Sequence, residues 1–172
     1  IELIKILRDN TSLPVISAGG VGNGAQMKQM LDAGACGISM GSPFIASVES
    51  PVSHDYKMAC VNYGAKDIVM TSRISGTPCT VINTDYVKSV GTEQNWLEKF
   101  LNSNRSIKKW AKMITFYRGM KTLEKAAFSA TYQTMWCAGP SIEYVKSIRP
   151  VKEIVEQIVT EYHAAQESTV TT

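Results

Sequence analysis

The stretch Leu13–Phe44, LPVISAGGVGNGAQMKQMLDAGACGISMGSPF, decides the fold. Pro14–Ser17 is a short apolar run with two β-branched residues and predicts a strand buried on both faces. Ala18, Gly19 and Gly20 follow at its C-terminal end, where a side chain would keep a ligand away from the backbone. Asn23 predicts a helix N-cap, with Gln26 three residues later in capping-box position. Met27, Met30 and Leu31 give that helix an apolar stripe, and Gly34 falls at C′. Gly37–Met40 then predicts a second short strand ending in Gly41 and Ser42. Two successive parallel strands deliver both small-residue loops to one edge of a sheet. Free backbone N–H groups there suit a phosphate, and the loops after strands 7 and 8 of (β/α)₈ barrels commonly serve that purpose. A lone glycine loop signals little beyond a tight turn; two of them one βα unit apart point to phosphate. The spacing is not G-x-G-x-x-G and no acid ends the second strand, so a dinucleotide fold is not indicated.

Working outward, Ile1–Asp9 reads as a helix with Leu3, Ile4 and Leu7 on one face. The chain opens inside that helix without a Met, so it reads as the C-terminal piece of something longer. Its 172 residues suffice for one domain with a sizeable core. A net charge of +3 is too mild to imply a nucleic-acid partner. There is no apolar run of membrane-spanning length and no visible signal peptide. Cys36, Cys60, Cys79 and Cys137 form no C-x-x-C; Cys36 opens a buried strand and Cys60 sits in a helical pattern, which predicts core thiols in a reducing compartment. A cytoplasmic protein is the expectation.

Downstream, Pro43–Val48 predicts a short helix whose N-terminal dipole would face the phosphate. Glu49–His54 is a connection, and Tyr56–Tyr63 a helix ended by Gly64. Asp67–Ser72 and Thr80–Asn83 read as strands of a small excursion, since no helix-length segment separates them. Thr92 can cap a helix carrying Trp96, Leu97, Phe100 and Leu101. Ser106–Tyr117 predicts another, with Ile107, Trp110, Ala111 and Ile114 on one face, and Leu123–Tyr132 a third. Met135–Ser141 is a loop, because Pro140 after Gly139 interrupts a helix. Val151, Ile154, Val155, Ile158, Val159 and Tyr162 recur at helical spacing behind Pro150. Gln166–Thr172 reads as a polar, frayed tail.

With these motifs in view, the chain resembles the C-terminal half of the nitronate monooxygenase family, formerly 2-nitropropane dioxygenases, which includes FMN-dependent enoyl-acyl-carrier-protein reductases. The resemblance rests on PVISAGGVGNG, LDAGACGISMGSPFIASVES, HDYK at His54–Lys57, and CAGPSIEYVKSIRPVKEIVEQIV. It implies an α/β fold, the C-terminal part of a (β/α)₈ TIM-type barrel with a small helical C-terminal extension. Residues 1–66 would be the last βα units with their phosphate loops, and 67–135 an inserted, mostly helical region. Residues 136–166 would be a flavin-proximal loop and terminal helix, and 167–172 a flexible tail. The implied cofactor is FMN, its phosphate held by the backbone of Ala18, Gly19 and Gly20 and of Met40, Gly41 and Ser42. Ser42 stands where the family commonly has Thr. Ala138 and Gly139 match a loop that closes over the flavin; Pro140 stands where many relatives carry Gln. The family's active-site histidine lies in a segment upstream of Ile1, so no catalytic residue is assigned in this chain. His54 matches a structural block, and His163 reads as a solvated terminal residue.

The resemblance implies flavin chemistry on a small molecule, a nitronate or an enoyl thioester: oxidative denitrification of an alkyl nitronate, or reduction of an enoyl thioester by NAD(P)H through FMN. Further expected partners are the missing N-terminal half of the barrel and, as an option, a second copy in a homo-oligomer. Two alternatives stand beside this. A dehydrogenase of the inosine-monophosphate type shares a two-loop phosphate barrel and a GSPF-like stretch, although the CAGPS block and its helix count against it. An inactive half-barrel that works only with its other half is the second. Among smaller signals, the basic run from Lys99 to Lys125 reads as a solvated helix face before a docking surface for an acidic partner. Trp96, Trp110 and Trp136 read as packing, with Trp136 the nearest to the flavin loop, and Lys57 and Arg73 as surface cations.

Overall fold

The parallel pair predicted for the two glycine loops is present. In the computed structural model, β1 (Ile16–Ala18) and β2 (Gly37–Ser39) run parallel in the register Ile16↔Gly37, Ser17↔Ile38 and Ala18↔Ser39. The structure describes residues 1–74, 77–93 and 135–170, together with the single positions Met113, Tyr117, Met120, Lys121 and Glu124. Before β1 lies α1 (Glu2–Asn10), and α2 (Gly24–Asp32) connects the two strands. The cap signals work as chemistry requires: Asn23 Oδ1 accepts the Gln26 N–H at 2.8 Å. Gln26 reaches one residue further back than a capping box, its Oε1 accepting from Gly22 N–H at 2.9 Å. At the other end Gly34 adopts φ +107. Its N–H bonds Leu31 C=O at 2.9 Å and the Ala35 N–H bonds Met30 C=O at 3.1 Å, a Schellman closure.

Three burial expectations for this unit are corrected. β1 is not covered on both faces: Ile16 is 63% exposed, because β2 is the strand's one partner among the described residues. Of the predicted α1 stripe Ile4 alone is buried, against Ala33 and Ala35, while Leu3 and Leu7 are exposed. Cys36 is exposed, whereas Cys60 is fully buried as expected.

After β2 the chain makes the single turn α3 (Ser42–Ile45) and then α4 (His54–Asn62), which starts two residues earlier than the periodicity suggested. Ser53 sets that start, its Oγ accepting the Tyr56 N–H at 3.4 Å. A 3₁₀ turn at Ala65–Asp67 leads into the hairpin of β3 (Ile68–Thr71) and β4 (Cys79–Ile82), antiparallel with Val69 opposite Val81. Thr84 then caps α5 (Asp85–Val90), a helix the sequence reading missed; Thr84 Oγ1 accepts from Val87 N–H at 3.3 Å. Apart from the single positions Met113, Tyr117 and Glu124, the helices predicted after Thr92, at Ser106–Tyr117 and at Leu123–Tyr132 lie outside the described residues, as does most of the basic run.

The distal segment is more than a loop. Cys137 forms an antiparallel bridge with Val81, and Pro140–Tyr144 winds into a 3₁₀ turn. Its side chains complete a core of Ala46, Tyr56, Ala59, Cys60, Ile82, Trp136, Ala138, Ile142 and Val145. The last helix, α6 (Val151–Val170), runs past Gln166, where a polar tail was expected. Ala164, Ala165 and Gln166 are good helix formers, and Gln166 Nε2 donates to Tyr162 Oη one turn back at 3.0 Å. Ile154 and Ile158 are buried, and Glu49 closes the helix's N-terminus with both carboxylate oxygens on Val151 N–H, at 3.0 and 2.9 Å. No helix among the described residues is long and apolar enough to cross a membrane.

Candidate functional site

Parallel pairing places the ends of β1 and β2 side by side, so the Ala18–Gly20 and Met40–Ser42 loops leave the same edge of the sheet. Gly19 and Gly20 both adopt left-handed backbone, φ +79 and +74, which explains two glycines in a row. A Cβ at Gly19, Gly20 or Gly41 would meet nothing within 4 Å, so the space over these loops is open. The candidate donors are not equivalent. Gly19 N–H is turned to Ser39 C=O at 3.4 Å. The N–H groups of Gly20, Gly41 and Ser42 have no acceptor among the described residues. Three unpaired N–H groups on two adjacent exposed loops form a nest suited to an anion.

The third predicted segment is brought into contact with the second. Gly139 N–H donates to Ser42 Oγ at 2.8 Å, across 97 positions of sequence. Because that hydroxyl oxygen accepts from Gly139, its own proton is free to turn outward. Ala138 is buried and its N–H is held by Thr80 C=O at 3.2 Å. The 138–139 pair is therefore a structural brace on the Ser42 loop, with its two N–H groups already engaged.

α6 fixes the far end of the first loop. Gly24 N–H donates to Glu161 Oε2 at 2.9 Å, and Gln157 Nε2 orients that carboxylate through Oε1 at 2.6 Å. Gln26 Nε2 donates to Tyr144 Oη at 3.0 Å. The start of α2 is thus tied to protein groups at Gly24 and Gln26, while the N–H groups of Gly20, Gly41 and Ser42 on the glycine loops have no acceptor among the described residues. Nothing in the sequence signalled Glu161, because its partner lies 137 positions away.

The other singled-out residues serve packing. Trp136 is buried, stacks on Tyr56 at 5.7 Å between centroids, and lines a cleft of about 370 Å³ with Asp55, Met58, Asn62, Tyr63 and Tyr86. Its indole N–H is buried with no partner among the described residues. Tyr56 Oη donates to Cys137 C=O; burial, reinforced by the Cys60 and Cys137 thiols, pushes its pKa far up. Burial likewise raises the Cys60 thiol to about 12. Lys57 is not a surface cation: it is buried and donates to Val48 C=O at 3.3 Å. Arg73 is half-buried, its guanidinium on Val90 C=O. His54 opens α4 and is exposed, and His163 sits on the solvent side of α6 against Tyr162 and Gln166. No group of three or more potential metal ligands occurs among the described residues.

Comparison with known proteins bears on this arrangement. The profile of the family described as nitronate monooxygenase matches residues 1–161, which takes in both glycine loops, the distal brace and α6 as far as Glu161. The chain belongs to the nitronate monooxygenase family. Over 88 residues it is 33% identical to a (3aS,4S,5R,7aS)-5-hydroxy-7a-methyl-1-oxo-octahydro-1H-indene-4-carboxyl-CoA dehydrogenase of Rhodococcus jostii, which is 51% of this chain and 25% of that protein. Over 86 residues it is 33% identical to a probable nitronate monooxygenase of Staphylococcus saprophyticus, 50% of this chain and 24% of that one. The structure of FabK from Thermotoga maritima superposes with a TM-score of 0.75 at 26% identity, covering 98% of this chain and 50% of that one. The chain therefore spans about half the length of that structure, and its fold corresponds to part of a barrel.

Proposed function

We propose that this chain forms the phosphate-holding side of an FMN-dependent oxidoreductase of the nitronate monooxygenase type. The observation that carries the reading is the pair of adjacent, exposed loops with unpaired N–H groups at Gly20, Gly41 and Ser42, the second braced by Gly139. These residues fit a flavin phosphate: the donors converge at one sheet edge, and the absence of side chains leaves room for its oxygens. Ala18, Gly19 and Met40 shape the loops, and Ser42 Oγ has a proton to add as a further donor. Ala138 and Gly139 act on the cofactor through Ser42. When bound, FMN supplies the electron-accepting chemistry, and the chain's own residues bind and orient it.

The two histidines do not serve as the base in this reading, since His163 is engaged on α6 and His54 opens a helix in the connection block. The base comes from the part of the barrel that pairs with β1, as does the cover for Ile16, Leu3 and Leu7. The substrate is a small molecule, an alkyl nitronate in the leading reading.

The test is the visible spectrum of the purified protein, followed by anaerobic addition of an alkyl nitronate or of NAD(P)H. A bound flavin bleached by the nitronate supports the monooxygenase. Bleaching by NAD(P)H alone shifts the assignment to the enoyl-thioester reductase, with the same cofactor site. A protein that binds no flavin when supplied with FMN overturns both.

A further inference from the structure

Gln26 lies in the first turn of α2, yet both ends of its side chain are committed outside that helix. Its Oε1 accepts Gly22 N–H at 2.9 Å and its Nε2 donates to Tyr144 Oη at 3.0 Å. The ring of the same tyrosine fills the space beside Gly22, where a Cβ would lie 2.5 Å from Tyr144 Cδ2 and 2.9 Å from both Cβ and the carbonyl oxygen of Ser141. Tyr144 therefore packs on Gly22 and also aims the amide that holds it. Gly22 is buried, and Val21 is only 1% exposed, so the restraint reaches to within one residue of Gly20. Gly19 and Gly20 need such a restraint. Both adopt left-handed backbone, φ +79 and +74, and glycine leaves that region at no steric cost. Upstream, the loop is tied by Gly19 N–H to Ser39 C=O at 3.4 Å, beyond the usual length of a backbone hydrogen bond and correspondingly weak. Downstream, the bond to Gln26 at 2.9 Å has ordinary length. The firmer anchor decides where Gly20 points its N–H.

We propose that Gln26 is a positioning residue for the flavin phosphate: oriented by Tyr144, it holds Gly22 so that Gly20 presents its N–H to the site shared with Gly41 and Ser42. This role presupposes the phosphate site proposed above and adds the side chain that sets its geometry. Gln26 touches neither the phosphate nor the reacting atoms, and its effect passes through the backbone of residues 20–22. The second loop has a matching restraint in Gly139 N–H on Ser42 Oγ. Each loop of the nest is thereby tied to the 139–144 segment, the first through Gln26 and the second directly. A carboxamide suits the position because it accepts at one end and donates at the other without bringing a charge. A carboxylate would accept from Gly22 but set a negative charge beside an anion site, and an aliphatic chain would make neither bond.

The experiment titrates the full chain and its Gln26→Met and Tyr144→Phe variants with FMN and with riboflavin, followed by flavin fluorescence. Gln26→Met keeps side-chain length and helix preference and removes both hydrogen bonds. FMN should then bind about tenfold more weakly and riboflavin as in the wild type, because only FMN uses the Gly20 N–H. Tyr144→Phe removes one hydroxyl from a part-exposed ring and should shift FMN alone in the same direction, by about threefold. It carries the test if Gln26→Met does not fold. In flavin-free protein, amide hydrogen exchange read by mass spectrometry should speed up in the peptide that holds Gly20 and Gly22. A role in stability alone lowers Tm and leaves the FMN-to-riboflavin ratio of the wild type. That ratio unchanged in the variants, with a wild type that prefers FMN, overturns the proposal and spares the phosphate site. A wild type without preference for FMN overturns both.

Discussion

Gly24→Ala inverts an ordinary expectation and therefore tests the packing that frames the first loop. Gly24 is the first residue of α2, and in an unobstructed helix alanine would be the better residue by roughly 0.5–1 kcal/mol. Here a Cβ would collide with the Ile158 carbonyl oxygen and the Tyr162 amide nitrogen of α6, and would sit 2.6 Å from Glu161 Cβ. Two of these three obstacles are backbone, which cannot rotate aside, so α6 must move. Overpacking of that kind costs about 1–3 kcal/mol. Moving α6 also strains the Gly24 N–H to Glu161 bond, and a hydrogen bond to a charged group contributes about 1.5–3 kcal/mol. A net loss near 3 kcal/mol follows, and for a domain of this size each kcal/mol lowers Tm by about 2–4 °C. Thermal unfolding followed by far-UV circular dichroism should therefore show a fall of about 6–12 °C. An unchanged or higher Tm would refute the close approach of α2 and α6.

Ser42→Ala removes the acceptor of Gly139 N–H and the proposed hydroxyl donor to the phosphate; FMN affinity, measured by fluorescence quenching, should fall about tenfold or more, with Ser42→Thr close to wild type. Gly20→Ala forces a side chain to φ +74 at a cost of about 1–2 kcal/mol, yet its Cβ meets nothing, so FMN binding should weaken while far-UV circular dichroism stays native. Glu49→Ala unties Val151 N–H and should lower stability by about 1 kcal/mol in urea unfolding. Alkaline pH should destabilise the fold. Burial raises Cys60 from 9.0 to about 12. The unfolded chain thus loses this proton first, and stability is full below about pH 9 and declines from there toward 12. Cys137 and Tyr56 act in the same sense. Urea midpoints at about pH 8 and about pH 10.5 should differ in that direction, and Cys60→Ala should flatten the difference.

What could be read ahead of the structure was local chemistry. Asn23 and Gly34 act on their own few neighbours and bound α2 where they placed it, while the β-branched run before Ala18 forms its strand at Ile16–Ala18, shifted from the expected Pro14–Ser17. The same holds for the hairpin, where Pro78 and a short spacer left no room for a helix. What escaped the sequence depends on partners far along the chain. Glu161 on Gly24, Glu49 on Val151 and Gly139 on Ser42 join positions about a hundred residues apart, and no periodicity reports them. Burial failed for a related reason. Ile16, Leu3 and Leu7 carry the pattern of a covered face, yet the cover is not among the described residues of this chain. Lys57 shows the converse: its charge suggested a surface, but its position on α4 tucks it under Val48. For the site itself, the glycine loops were legible because positive φ restricts the residue type. The division of labour among their N–H groups was not, since it depends on which of them Ser39 had already taken.

The most direct test of the central claim compares FMN with riboflavin, which differs only by the phosphate, by flavin-fluorescence titration of the purified protein. If the Gly20, Gly41 and Ser42 N–H groups grip that phosphate, the loss of three charge-assisted hydrogen bonds should weaken riboflavin by about 100-fold or more. Equal affinity for the two flavins, or binding of neither, would contradict the account.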